Sequence, residues 1–281
     1  MNVLMKFRTE IEQEKASPLS HANRILMMGS CFTTNIGEQL AIDGFNVAVN
    51  PTGVLYNPAS IAGMINRAAK DMDYTEKDMV RDDNGVFHLL DFPNAMQGSD
   101  AEELLNRGNN LLKQLQNHLT EADTLIITFG TTWVFDLNST GLTVGNCHKL
   151  PSTAFTRRRM TIEEIVELWK PLLKDRRVIF TVSPIRHTAD GLHGNSISKA
   201  VLQLAVDALV NEGAEYFPAY EIMMDDLRDY RFYAPDMKHP SQVAVEYIYE
   251  QFKSRFFTPE TVRIASEARK NYKFSQHRQL L

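Results

Sequence analysis

A chain of 281 residues, 43% apolar and 23% charged, has the material to bury one sizeable core. Its net charge of -5 excludes a broad nucleic-acid-binding surface, which needs a clustered excess of Lys and Arg. Residues 1–20 mix Lys6, Arg8, Glu10, Glu12, Glu14 and Lys15 without an apolar run, and Cys31 and Cys147 are too few for a disulfide framework, so a cytoplasmic protein without a membrane partner is expected.

Pro18 and His21-Ala22-Asn23 mark a loop, after which residues 24–28 read as a short buried strand. Gly29 allows a tight turn, and Ser30 stands where the next helix begins. Phe32, Ile36 and Leu40 recur every four residues on a helix that Gly44 stops. Phe45 to Val49 is a second strand, closed by the turn Asn50-Pro51-Thr52-Gly53. A helix follows Asn57-Pro58 with Ile61, Met64 and Ile65 inward. Asp83-Asn84-Gly85, set between β-like segments of residues 80–92, signals an inserted hairpin. Helical spacing returns over residues 100–119 through Leu104, Leu105, Leu111, Leu112 and Leu115, weakened at Gly108.

Thr124 to Phe129 is the clearest buried strand, β-branched and uncharged. Residues 133–135 and 142–144, around Asn138-Ser139-Thr140-Gly141, form a second small hairpin, followed by Asn146-Cys147-His148-Lys149. Arg157-Arg158-Arg159 reads as a solvated basic run before a helix that Thr161 starts, with Glu163 and Glu164 near its positive end and Ile162, Ile165, Val166 and Trp169 inward. Residues 177–182 are another central strand. A polar loop, 186–195, precedes a helix from about Ser196 to Glu212. A short strand at 215–217, a helix at 220–227 and a loop at 231–238 come next. Pro240 opens a helix with Val243, Tyr247, Ile248 and Phe252 as its apolar face. Residues 258–281 are expected as an amphipathic helical tail. Strands alternating with helices across crossovers long enough for parallel pairing predict one α/β domain over residues 1–281, a three-layer α/β/α sandwich with small hairpin insertions.

Three loops at one edge of that sheet carry the chemistry: Gly29-Ser30-Cys31, Asn50-Pro51-Thr52-Gly53 and Asp236-Met237-Lys238-His239. A serine hydroxyl needs a base to take its proton and an acid to orient that base. His239 and Asp236, spaced i to i+3, supply both to Ser30. The oxyanion formed at an attacked carbonyl needs preorganised N–H donors, for which the backbone amides of Ser30 and Gly53 are the candidates. Ser30 also suits a helix N-cap. Cys31 is the rival nucleophile, although packing suits it better.

Gly29-Ser30-Cys31-Phe32-Thr33 resembles the signature of the GSCFA domain family of bacterial proteins. The likeness extends through Phe129-Gly130-Thr131-Thr132-Trp133-Val134, Asn146-Cys147-His148-Lys149, Ser183-Pro184-Ile185-Arg186-His187 and Tyr216-Phe217-Pro218-Ala219-Tyr220-Glu221-Ile222. That group is similar to the SGNH, or GDSL-like, hydrolases: esterases, lipases and carbohydrate O-deacetylases on a flavodoxin-like sandwich. The resemblance implies a serine nucleophile at Ser30, an oxyanion glycine at Gly53 and an Asp-x-x-His pair at Asp236 and His239. The family's Gly-x-Asn-Asp block falls on Gly130-Thr131-Thr132-Trp133 and lacks its asparagine, so Thr132, Asn50 or Asn146 is expected to replace that donor.

His187, Asp190 and His193, with His148, have metal-like chemistry but no known zinc spacing. His148, Arg186, His187 and His193 are therefore read as lining a substrate pocket, and neither metal nor cofactor is expected. Tyr230, Phe232 and Tyr233 are read as packing rather than as a sugar-stacking surface. The expected function is an SGNH-type serine esterase acting through an acyl-enzyme on a small-molecule or carbohydrate ester. The alternatives are an O-acyltransferase and an inactive carbohydrate-binding or interaction module that retains the fold.

Overall fold

The structure is a computed structural model describing residues 11, 16–93, 95–174 and 176–279; the lead-in at residues 1–10 and 12–15 and the last two tail residues lie outside it. In chain order the elements are β1 (Arg24–Gly29), α1 (Cys31–Ile42), β2 (Asn46–Val49), α2 (Pro58–Ala69), β3 (Val80–Arg81), β4 (Phe87–His88), β5 (Gln97–Gly98), α3 (Ala101–Glu121), β6 (Thr124–Phe129), β7 (Trp133–Leu137) and β8 (Thr143–Val144). There follow β9 (Phe155–Arg159), α4 (Ile162–Trp169), β10 (Arg177–Val182), α5 (Gly191–Asn211), β11 (Glu215–Tyr216), α6 (Ala219–Glu221), which runs on into a π-helical turn, α7 (Gln242–Phe256) and α8 (Pro259–Gln279).

Five strands form one parallel sheet in the order β11-β10-β6-β1-β2. Counted along the chain, that order is 2-1-3-4-5, with its reversal between β1 and β6, the place where open α/β sheets bind ligands beyond their carboxyl ends. The period of two along each strand splits the core into two layers. Leu26, Met28, Leu125, Ile127, Val178 and Phe180 face the layer of α2, α3, α4 and α5. Ile25, Met27, Ile126 and Ile179 face the layer of α1 and α7. Two antiparallel three-stranded sheets, β3-β4-β5 and β8-β7-β9, are the insertions, and Leu90, Leu137, Val144 and Phe155 close a small core between them.

Several expectations shift. The run Arg157-Arg158-Arg159 is part of β9, paired antiparallel with β7. The helix expected at Ser196 starts at Gly191 instead. Ser241, not Pro240, caps α7, whose hydroxyl accepts from Ala244 N–H, and Val243 faces solvent while Ala244, Val245, Ile248, Tyr249 and Phe252 enter the core. Gly108, read as a weakness of α3, is where that helix touches the insertion: a Cβ there would lie 2.6 Å from Leu89 Cδ1. Among the described residues no helix is long and apolar enough to cross a membrane.

Candidate functional site

The loop after β1 is built around Gly29. Its φ is +144°, and a Cβ would lie 2.2 Å from the carbonyl oxygen of Thr128, so only glycine lets β1 end this close to β6. Asn50 Oδ1 accepts the Gly29 N–H at 2.9 Å, and Asn50 Nδ2 donates to Thr34 Oγ1 at 3.2 Å, tying this turn to the one after β2. Ser30 follows with extended backbone as the N-cap of α1. It is fully buried, its N–H donates to Thr128 O at 3.3 Å, and its hydroxyl accepts the Phe32 N–H at 3.3 Å. The capping role weighed in the sequence is thus what the hydroxyl performs here.

The base and its orienting acid lie on the loop before α7. Asp236 Oδ1 accepts the N–H groups of Lys238 and His239 at 3.0 Å each, and Oδ2 meets His239 Nδ1 at 2.5 Å. The His239 and Lys238 amides, then the imidazole, hold the Asp236 carboxyl well below the usual carboxylate range. An ionised carboxylate only accepts, so Nδ1 donates in this contact and Nε2 is the ring nitrogen left for another partner. Among the described residues Nε2 has no hydrogen-bond partner, and the two side chains are 46% and 45% exposed. The loop is fastened to the end of β10 by the Arg186 N–H to Lys238 O bond, 3.2 Å.

Ser30 and His239 therefore share the carboxyl edge, but no hydrogen bond joins them. His187 stands on the same edge, its ring edge-on to Tyr56 at 5.8 Å, and the Tyr56 hydroxyl lies 3.5 Å from Cys31 Sγ. Burial, then the charges of Lys199 and His239, push His187 down to about 3, so its ring is neutral. Burial foremost, with the Cys31 contact added, pushes Tyr56 up to about 12.

Most of the expected oxyanion donors are occupied. The Gly53 N–H closes its own turn on Asn50 O at 2.8 Å. Thr132 is fully buried, with its N–H and hydroxyl both on Ser198 Oγ at 2.8 and 3.0 Å. Asn50 braces Gly29, as above. Asn146 accepts the His148 N–H on Oδ1 at 2.9 Å, its Nδ2 has no hydrogen-bond partner among the described residues, and it lines a cavity of about 750 Å³.

Of the expected pocket residues, Arg186 and His187 line that cavity and the other two do not. His148 is buried in the insertion, where Nε2 donates to Phe92 O at 2.8 Å and Nδ1 meets His88 Nδ1 at 3.3 Å. Burial holds its ring below the ordinary histidine range. His193 is exposed on the first turn of α5. Asp190 pairs with Arg157 rather than joining the histidines. Among the described residues no group of three His, Cys, Asp or Glu is arranged to hold a metal.

The sequence reading missed Lys199. It is buried in α5, and its Nζ donates to Gly130 O at 2.7 Å and Ser183 O at 2.6 Å, bracing the carboxyl ends of β6 and β10. Burial pushes its ammonium down to about 7. The signal was present: Asn195, Ser198, Leu202, Val206 and Leu209 are the buried stripe of α5, and Lys199 falls on it.

Beside this edge opens a cavity of about 750 Å³, walled by Tyr56, Trp133, Arg157, Arg186, His187 and Lys238 among others. The arrangement offers an oriented base, a hydroxyl at a helix start and a concave space that Lys238 of the base's loop helps to wall. A comparison with curated proteins finds no match. The GSCFA family model matches residues 24–252, from the first residue of β1 into α7, and the chain belongs to the GSCFA family.

Proposed function

We propose that this protein is a serine hydrolase of the SGNH type, on a flavodoxin-like sheet, that cleaves a carboxylic ester. The observation that carries the reading is the Asp236 Oδ2 to His239 Nδ1 contact of 2.5 Å on the sheet edge that also bears Ser30, leaving Nε2 ready to accept a proton. Ser30 Oγ would attack the carbonyl carbon while its proton passes to His239 Nε2. The tetrahedral intermediate collapses as the ester C–O bond breaks and the same proton goes to the leaving oxygen. Water, deprotonated by His239, then attacks the acyl-enzyme and frees Ser30. A sugar hydroxyl in place of that water makes the protein an O-acyltransferase. The negative oxygen would be met by Asn146 Nδ2 and by the Ser30 N–H, whose present contact with Thr128 O is long at 3.3 Å.

The reaction requires Ser30 to leave Phe32 N–H and substrate to part the edge loops, because the hydroxyl is fully buried as it stands. That burial favours the second reading, a binding module that retains the fold without the chemistry. A panel of aryl and sugar acetates separates the two. Loss of a triad nucleophile costs roughly 10⁶-fold in turnover at its largest, so hydrolysis by the wild type that falls at least about 10³-fold in Ser30→Ala and in His239→Ala is expected. Equal rates in wild type and Ser30→Ala would remove the mechanism.

A further inference from the structure

We propose that the cavity beside His239 is a subsite for an anionic group, a carboxylate or a phosphate, carried by the ester substrate. The inference deepens the hydrolase reading and takes from it only the position of the reacting bond. Three cations wall the cavity, Arg157, Arg186 and Lys238, against one carboxylate, Asp190. Asp190 is paired with Arg157. Among the described residues neither Arg186 nor Lys238 has a carboxylate within ion-pair distance. Arg186 instead lies over Tyr233 at 4.1 Å and Tyr230 at 5.1 Å, contacts that orient a guanidinium without neutralising it. Arg186 also borders a smaller cavity of about 410 Å³, whose acids Asp225 and Asp229 are taken up by Arg228 and Arg231.

Two cations without a carboxylate partner on one concave wall repel each other, and an anion between them relieves that repulsion while making charge-assisted hydrogen bonds. The rest of the cavity fits the body of such a ligand. Phe135 is 36% exposed on its wall, and Trp133, over whose ring Arg157 lies at 4.1 Å, has a buried Nε1–H with no acceptor. A volume of about 750 Å³ suits a small organic ligand. The backbone ties the subsite to the chemistry: Lys238 immediately precedes His239, and Arg186 N–H holds Lys238 O at 3.2 Å. An anion on these two side chains is anchored next to the proposed base.

Calorimetric titration of the wild type with N-phenylsuccinamic acid, its phosphonate analogue and the neutral N-phenylsuccinamide tests this without turnover. At least one acid is expected to bind about tenfold or more tightly than the neutral amide, with the gap closing at high salt. The gap is expected to vanish in Arg186→Gln/Lys238→Gln and to persist in Arg186→Lys/Lys238→Arg, each matched to the wild type in melting temperature. Carboxylate against phosphonate reads which anion is preferred. The proposal is overturned if neither acid binds, if the neutral amide binds as tightly, or if the preference survives in the double glutamine variant. Because binding is read directly, an absence of esterase activity counts against the hydrolase reading alone, and an absence of anion preference counts against the subsite alone.

Discussion

The Ser30 hydroxyl caps α1, and it is the same hydroxyl that the proposed reaction uses as its nucleophile. A hydroxyl at a helix start accepts an amide and is worth about 0.5–2 kcal/mol as a cap, little enough that a substrate can recruit it. Lys199, held on the Gly130 and Ser183 carbonyls, is the residue whose titration should mark the fold most clearly. Burial lowers its pKa from 10.5 to about 7, so between those values the unfolded chain holds a proton that the folded chain has released. Stability therefore rises with pH from about 7 upward, and the burial penalty is complete below it. From pH 7 to 9 the melting temperature of the wild type should climb relative to that of Lys199→Met, read by calorimetry; parallel profiles would contradict this. His187 acts in acid: its pKa is lowered from 6.5 to about 3, so stability should fall as pH drops through that range. Asp236 and His239 were legible because their pairing is local, three residues apart on one loop. Lys199 was not, because a lysine on an apolar stripe reads as solvated until the carbonyls of Gly130 and Ser183 arrive from other strands.

At the level of elements, β9 shows how charge disguises a strand. Three consecutive arginines read as a solvated run, yet alternation sends Arg157 to Trp133 and Asp190, and Arg158 to Asp136 and Glu164. Each partner lies on another element, so no local spacing announces the strand. The tail, by contrast, was readable as a helix, and the structure adds its fastening. Arg269 of α8 donates to Asp43 Oδ1 at 2.5 Å and to Gln39 Oε1 at 2.9 Å, and the Tyr249 hydroxyl donates to Asp43 Oδ2 at 2.7 Å. The Asp43 side chain is only 1% exposed. Arg269→Ala strips a buried carboxylate of its cation, which costs about 3 kcal/mol. Thermal unfolding should show a fall of several degrees in Tm, with Asp43→Asn/Arg269→Gln milder than the single change; an unchanged Tm would mean that α8 rests on the core without this clamp.

Across the whole molecule, alternating strand and helix patterns foretold a parallel three-layer sandwich, and the order 2-1-3-4-5 follows from them once β1 lies beside β6. That adjacency brings Ser30, Gly130 and the loops after β2 and β10 to one edge. The cavity beside them was legible only in Arg186 and His187, since its walls come from the hairpin insertions as much as from the sheet. Nor was the contact of Tyr56 with His187 legible, which meet across 131 positions of sequence. The central claim is that Ser30, sealed at rest, is the nucleophile that His239 activates. Reaction with a fluorophosphonate ester, followed by intact mass and peptide mapping, addresses it most directly. One adduct per chain, on Ser30, is expected, slowed strongly in His239→Ala and absent from Ser30→Ala. No adduct on the wild type, or one that persists in Ser30→Ala, would contradict the account.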